Sequence, residues 1–197
     1  MPAQNQPAAN QPALDFLLGR RSHPARTLRG PAPDRAALAP ILEAGLRVPD
    51  HGKLEPWRLI VLERAALDRL AGVAEARAEA LGMAPEAAAK AISQFREAPL
   101  CIAVISAPVP SEKAPAQEQL LSAGAVALSL VNAALAAGWG AAWLTGWPAY
   151  DRGFMAEGLG LAEGESVVGF VHVGTPSGQP PERPRPDPAA RVAWVSA

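Results

Sequence analysis

Apolar positions alternate between two rhythms along this chain, and the rhythm assigns most of its elements. Leu14, Leu17 and Leu18 fall at helical spacing and predict a short helix over 13–18. Asp34 then stands as an N-cap before a helix reaching about Arg47, with Leu38, Ile41, Leu42 and Leu46 on one face and Pro40 placed to kink it. The unbroken apolar run 59–62 predicts a strand covered on both faces, and 100–106, 141–145 and 167–173 read as three more strands. Two Ala-rich, charged helices are expected over 65–81 and 86–96, separated by Gly82 and Pro85. Their modest apolar faces, carried by Leu67, Leu70, Val73 and Phe95, predict a cover outside the core. The longest helix, 117–137, is apolar nearly all round from Leu120 and must be central. Its Ala123, Gly124, Ala125 and Ala127 suit a close packing seam within or between subunits. A last short helix is expected over 151–159.

Composition narrows the class. A chain of 197 residues with 49% hydrophobic and 19% charged residues suits one globular domain over 13–197. Residues 1–12, rich in Ala, Gln, Asn and Pro, read as a disordered tail without the pattern of a secretory signal. Residues 175–197 read as a Pro-rich extension able to wrap a surface, with Val192 to Val195 available as an edge strand. The helix at 120–139 is interrupted by Ser122, Ser129 and Asn132 and lacks basic flanks, so a buried helix is expected and no membrane span. With 18 basic and 19 acidic residues no global field draws the protein to nucleic acid. The single cysteine, Cys101, lies in the apolar run LCIAVIS and reads as a buried structural thiol, compatible with a reducing, cytoplasmic location.

Candidate chemistry gathers at a few places. Arg20, Arg21 and Ser22 follow the end of the first helix, and two guanidiniums with a hydroxyl suit an oxyanion such as a phosphate. Arg47, Asp50, His51 and Lys53 fall in a loop held by Pro49 and Pro56, either a binding loop or a solvated connection. Gly138 and Gly140 follow a helix where a dinucleotide fingerprint needs them after a strand, which excludes a Rossmann reading. No metal-ligand set is expected.

Taken in order, the helix, the Arg20–Arg21–Ser22 motif, R-x-P-D-H-x-x-x-x-P-W from Arg47, the long apolar helix, G-x-x-W-x-T-G from Gly140 and V-G-F-x-x-x-G-T-P from Val168 resemble the FMN-dependent nitroreductase family. The likeness spans roughly 14–186 and is greatest to a short bacterial branch in which a His follows the Pro-Asp pair. It implies an α+β fold with a central mixed or antiparallel sheet, helices on both faces, and an intertwined homodimer holding two FMN at its interface. It also implies NADH or NADPH as reductant and a small-molecule electron acceptor, with ping-pong turnover. By the same resemblance Arg20, Arg21 and Ser22 contact the flavin and its phosphate. Arg47 and His51 reach the cofactor of the other subunit, Trp143, Leu144, Thr145 and Gly146 lie by the isoalloxazine ring, and Arg185 stands near the phosphate. Leu144 departs from the basic residue common in near relatives, and 52–55 lacks the Asn of the larger branch. A flavin-sequestering protein with little turnover, and an interaction module without cofactor, are the competing functions.

Overall fold

A computed structural model describes residues 8–196. Of the tail expected over 1–12, residues 1–7 lie outside the described residues. Within the rest, helix α1 already spans Gln11–Gly19, because the Asn10 side chain accepts the Ala13 N–H and Pro12 occupies the first turn.

Strands β1 (Leu28–Arg29), β2 (Trp57–Leu62), β3 (Leu100–Ser106), β4 (Gly140–Leu144) and β5 (Ser166–Pro176) form one five-stranded sheet in the order β1-β5-β3-β2, with β4 also on β5. Every pairing is antiparallel, which decides between the mixed and antiparallel alternatives. Strand β2 starts two residues before the apolar run because Arg58, paired with Ile105, is neutralised by both carboxylate oxygens of Glu165 at 2.6 and 2.8 Å.

Strand β3 is buried along its whole length. Its alternate side chains divide the core in two. Leu100, Ile102 and Val104 join Val171 and Val173 under α2 (Arg35–Gly45) and α5 (Ala116–Ala136). Cys101, Ala103 and Ile105 join Phe170 under α3 (Arg64–Ala80), α4 (Pro85–Arg96) and α6 (Arg152–Leu159).

The expectation that the 65–96 pair only covers the core is corrected. Leu67, Leu70, Ala71 and Ala74 of α3 and Phe95 of α4 are fully buried, and Phe95 packs on Phe154 and Phe170 at ring separations of 5.3 and 5.1 Å. Buried alanines let these helices lie close to the sheet, so the pair builds half of the core although few large apolar residues announce it.

The other side rests on α5. Asp34 caps α2 through the Ala37 N–H at 2.8 Å, and α2 continues through Pro40. At its C-terminus a Cβ on Gly45 would overlap the Leu130 side chain, so the α2–α5 crossing needs a glycine there. Residues 192–195 form no strand, and Trp194 is 93% exposed.

Candidate active site

The cleft of interest is built on the free edge of β4. Helix α1 ends at Arg20, which turns extended at φ −60° and ψ 143°. The chain then runs beside β4, where the His23 N–H donates to the Ala141 carbonyl at 2.9 Å. That bond places Arg20 and Ser22 next to the end of β4. A cleft of about 390 Å³ opens there, lined by Arg20, Ser22, Leu128, Val131, Trp143 and Thr145.

The walls differ in character. Leu128 and Val131 present one face of α5. Trp143, paired with Val171, lies on the same side of the sheet and is 40% exposed. Its neighbour Leu144 pairs with Phe170, points to the opposite face by the strand alternation, and does not line the cleft. Gly146 takes φ 121° and starts the turn Trp147–Ala149, a backbone conformation that favours glycine.

The polar wall is cationic. Arg20 Nη2 donates to Ser22 Oγ at 3.0 Å, while Arg20 Nε is buried without a partner. Burial and then the positive charges of Arg185 and Arg21 lower the Arg20 pKa, which marks an uncompensated positive field. Arg185 reaches the site from the C-terminal extension, its Nη2 donating to the Arg20 carbonyl at 3.4 Å. Arg21 turns away from the cleft and donates to Glu182 Oε1 at 2.7 Å and to the Pro181 carbonyl at 2.6 Å. Arg185 Nε lies 3.6 Å from the same Glu182 oxygen. Arg21 and Arg185 thus share one carboxylate while Arg20 has none, and the surplus positive charge suits an anion.

Arg47 and His51 are placed elsewhere. Both are exposed and neither lines the cleft. Their loop is fastened to the start of α5, where Ser122 Oγ donates to the Pro49 carbonyl at 2.7 Å and accepts from Trp57 Nε1 at 3.0 Å. His51 Nδ1 stands 2.7 Å from Glu118 Oε2. Asp50 closes the loop by accepting the Leu54 and Glu55 N–H groups at 3.3 and 2.8 Å. Helix α5 therefore carries the loop near Glu118 and the cleft near Leu128, which a rise of ~1.5 Å per residue puts about 15 Å apart.

The sequence-based reading missed Leu128, Val131, Glu118, Ser122 and Glu182. The leucine and valine read as helix packing, and the pairing of Glu182 with Arg21 spans 161 residues. Only Ser122 offered a signal, as a hydroxyl in an apolar helix that required a partner once buried.

A family model described as the nitroreductase family matches residues 17–175. The chain is 37% identical over 164 residues to the Escherichia coli K12 protein provisionally named NAD(P)H nitroreductase YdjA, covering 83% of this chain and 88% of that protein. A provisionally named NAD(P)H nitroreductase of Haemophilus influenzae is 35% identical over 165 residues, with the same coverage. Among solved structures, a nitroreductase-like family protein from Bacillus cereus superposes with a TM-score of 0.77 at 22% identity, covering 99% of this chain and 100% of that one. A structure from Desulfovibrio desulfuricans, described as a nitroreductase in complex with FMN, gives a TM-score of 0.73 at 22% identity over 96% of this chain and all of that one (100%).

Proposed function

Since the chain belongs to the nitroreductase family, we propose that it is an FMN-dependent oxidoreductase. It takes hydride from NADH or NADPH and passes it to nitroaromatic, quinone or similar electron-poor small molecules. The observation that carries this reading is the buried, unpartnered Nε of Arg20 in the polar wall of a cleft whose other wall is apolar. Such a group needs an acceptor, because a buried charged donor without one is costly. FMN fits: its phosphate matches the surplus charge of Arg20, Arg21 and Arg185, and its flat ring matches the wall of Leu128, Val131 and Trp143.

When bound, FMN supplies the hydride chemistry, so the chain needs no nucleophile of its own. Arg20 and Ser22 hold and orient the phosphate end as donors. Trp143, Leu128 and Val131 would shield a bound ring from water, and Thr145 would offer a hydroxyl at the strand end. Leu144 faces away, so the missing basic side chain at that position leaves the phosphate contacts intact. A single cleft lined this way would serve reductant and acceptor in turn, and turnover would then be ping-pong.

The reading includes a homodimer in the cytoplasm. Helix α5 leaves Leu120, Leu121 and Leu128 exposed, α1 leaves Leu14, Leu17 and Leu18, and the tail leaves Trp194 and Val195. Apolar surface of this extent suits a second copy. With Arg47 and His51 about 15 Å along α5 from the cleft, a two-fold dimer is the arrangement that lets them serve the partner's site.

Cofactor identity is the decisive measurement. The purified protein is expected to be yellow and to release FMN on denaturation at one per subunit. Release of FAD, or no uptake of FMN on reconstitution, would refute the assignment. Yellow protein that no acceptor reoxidises after reduction would reduce it to flavin sequestration.

A further inference from the structure

The first turns of α5 hold the loop from Arg47 to Trp57 through two side chains one helical turn apart. Ser122 is 6% exposed and fixes the loop backbone at Pro49, two residues before the imidazole. Glu118, at the i, i+4 position on the same helix face, meets the ring itself at 2.7 Å. The backbone and the ring of the histidine are thus anchored to one rigid element. An ionised carboxylate only accepts hydrogen bonds, so this contact requires the proton on Nδ1. Nε2 is then the ring nitrogen left for a ligand, as an acceptor in the neutral ring and a donor in the charged one.

From this geometry we propose that Glu118 is a positioning residue, which holds His51 as the Nδ1–H form and presents Nε2 to the cofactor bound in the second copy's cleft. The assignment rests on the FMN and two-fold dimer readings above and adds to them the side chain that prepares one of the contacts. Without Glu118 the ring is free to rotate and to exchange its proton between the two nitrogens. Part of the interaction with the ligand is then spent on ordering it.

The experiment uses the full-length, FMN-loaded protein with ¹⁵N-labelled histidine, the His51 signals being assigned by their loss in His51→Gln. Wild type is expected to show the Nδ1–H pattern at neutral pH. In Glu118→Ala that pattern should give way to a mixture, and FMN should bind roughly three- to tenfold more weakly in a fluorescence-quenching titration. Glu118→Gln keeps an acceptor oxygen at the same reach and should recover most of both effects. With FMN bound, an unchanged tautomer in Glu118→Ala, or no recovery in Glu118→Gln, would overturn the positioning role alone and leave the FMN assignment standing. Failure of the wild-type protein to bind FMN would overturn both.

Discussion

The indole of Trp143 lies across the backbone of Gly169, so close that a Cβ at position 169 would overlap the indole nitrogen. The two residues sit on neighbouring antiparallel strands, where Trp143 is paired with Val171. The absence of a side chain at 169 is what allows the ring to lie down and form a wall of the cleft. Gly169→Ala is expected to lift the ring and to cost roughly 1–3 kcal/mol of stability by overpacking. In a Trp143→Phe background, which removes the indole nitrogen, the same substitution should cost at least ~0.5 kcal/mol less. Denaturant melts of the four proteins give this coupling, and strict additivity would contradict the contact.

The two arginines of the N-terminal motif should not be equivalent. Arg20 keeps a buried Nε without a partner, whereas Arg21 is engaged by Glu182 and the Pro181 carbonyl. Arg20→Ala is expected to weaken FMN binding by about 2 kcal/mol, roughly thirtyfold, and Arg21→Ala by no more than about threefold. Equilibrium titration of the apoprotein with FMN distinguishes them. Equal losses would mean that Arg21 leaves Glu182 when the ligand binds.

His172 predicts an acid-sensitive core. It is fully buried between Cys101 and Ala142 on the neighbouring strands, and neither ring nitrogen has a partner. Burial pushes its pKa down to about 4. Because the unfolded chain binds the proton more readily, stability from the neutral ring is complete above an unfolded pKa of about 6.5 and is lost as pH falls through the folded value. The loss across that window amounts to roughly 3 kcal/mol. His172→Leu should flatten the fall in stability between about pH 6.5 and 4, measured by urea unfolding against wild type. Glu165, held down to about 2 by Arg58, loses its contribution from about pH 4.5 downward, in the variant as in wild type, so the difference between the two proteins reports His172. A variant as acid-sensitive as wild type would show that the ring finds a partner in solution.

Subunit mixing tests whether each site draws on two chains. Arg20→Ala and Arg47→Ala are made separately under conditions where each alone binds FMN poorly, then unfolded together and refolded. In a two-fold dimer with shared sites, a mixed dimer has one doubly altered site and one of wild-type composition. Random pairing makes about half of the dimers mixed and restores about a quarter of all sites. Activity no greater than the mean of the two variants, with exchange verified by mass, would place both residues at a site within one chain.

Much of this architecture is written locally. The apolar runs of β2, β3 and β5 declare strands, and the i, i+3, i+4 spacing of Leu38, Ile41 and Leu42 declares a helix that Asp34 starts. The expectation that 59–62 is covered on both faces is corrected, because β2 is the sheet's edge strand and leaves Val61 37% exposed. Burial of Cys101 follows from its place in such a run, and burial raises its thiol pKa and leaves it inert. These signals are legible because side-chain period and capping act between residues a few positions apart.

Other features depend on contacts that no local pattern encodes. The two-residue strand β1 has no period to read, and forms because Leu28 and Arg29 meet Pro176 and Thr175 at the end of β5. The alanines of α3 look like those of a solvated helix until the sheet closes over them. Arg20 and Arg185 are separated by 165 residues and become neighbours only when the extension folds back. His51 gains Glu118 in the same way, through the docking of its loop on α5. The residue types suited to an anion could be recognised one by one along the chain, but their division between a cleft and a distant loop was fixed by long-range packing against α5 and the edge of β4.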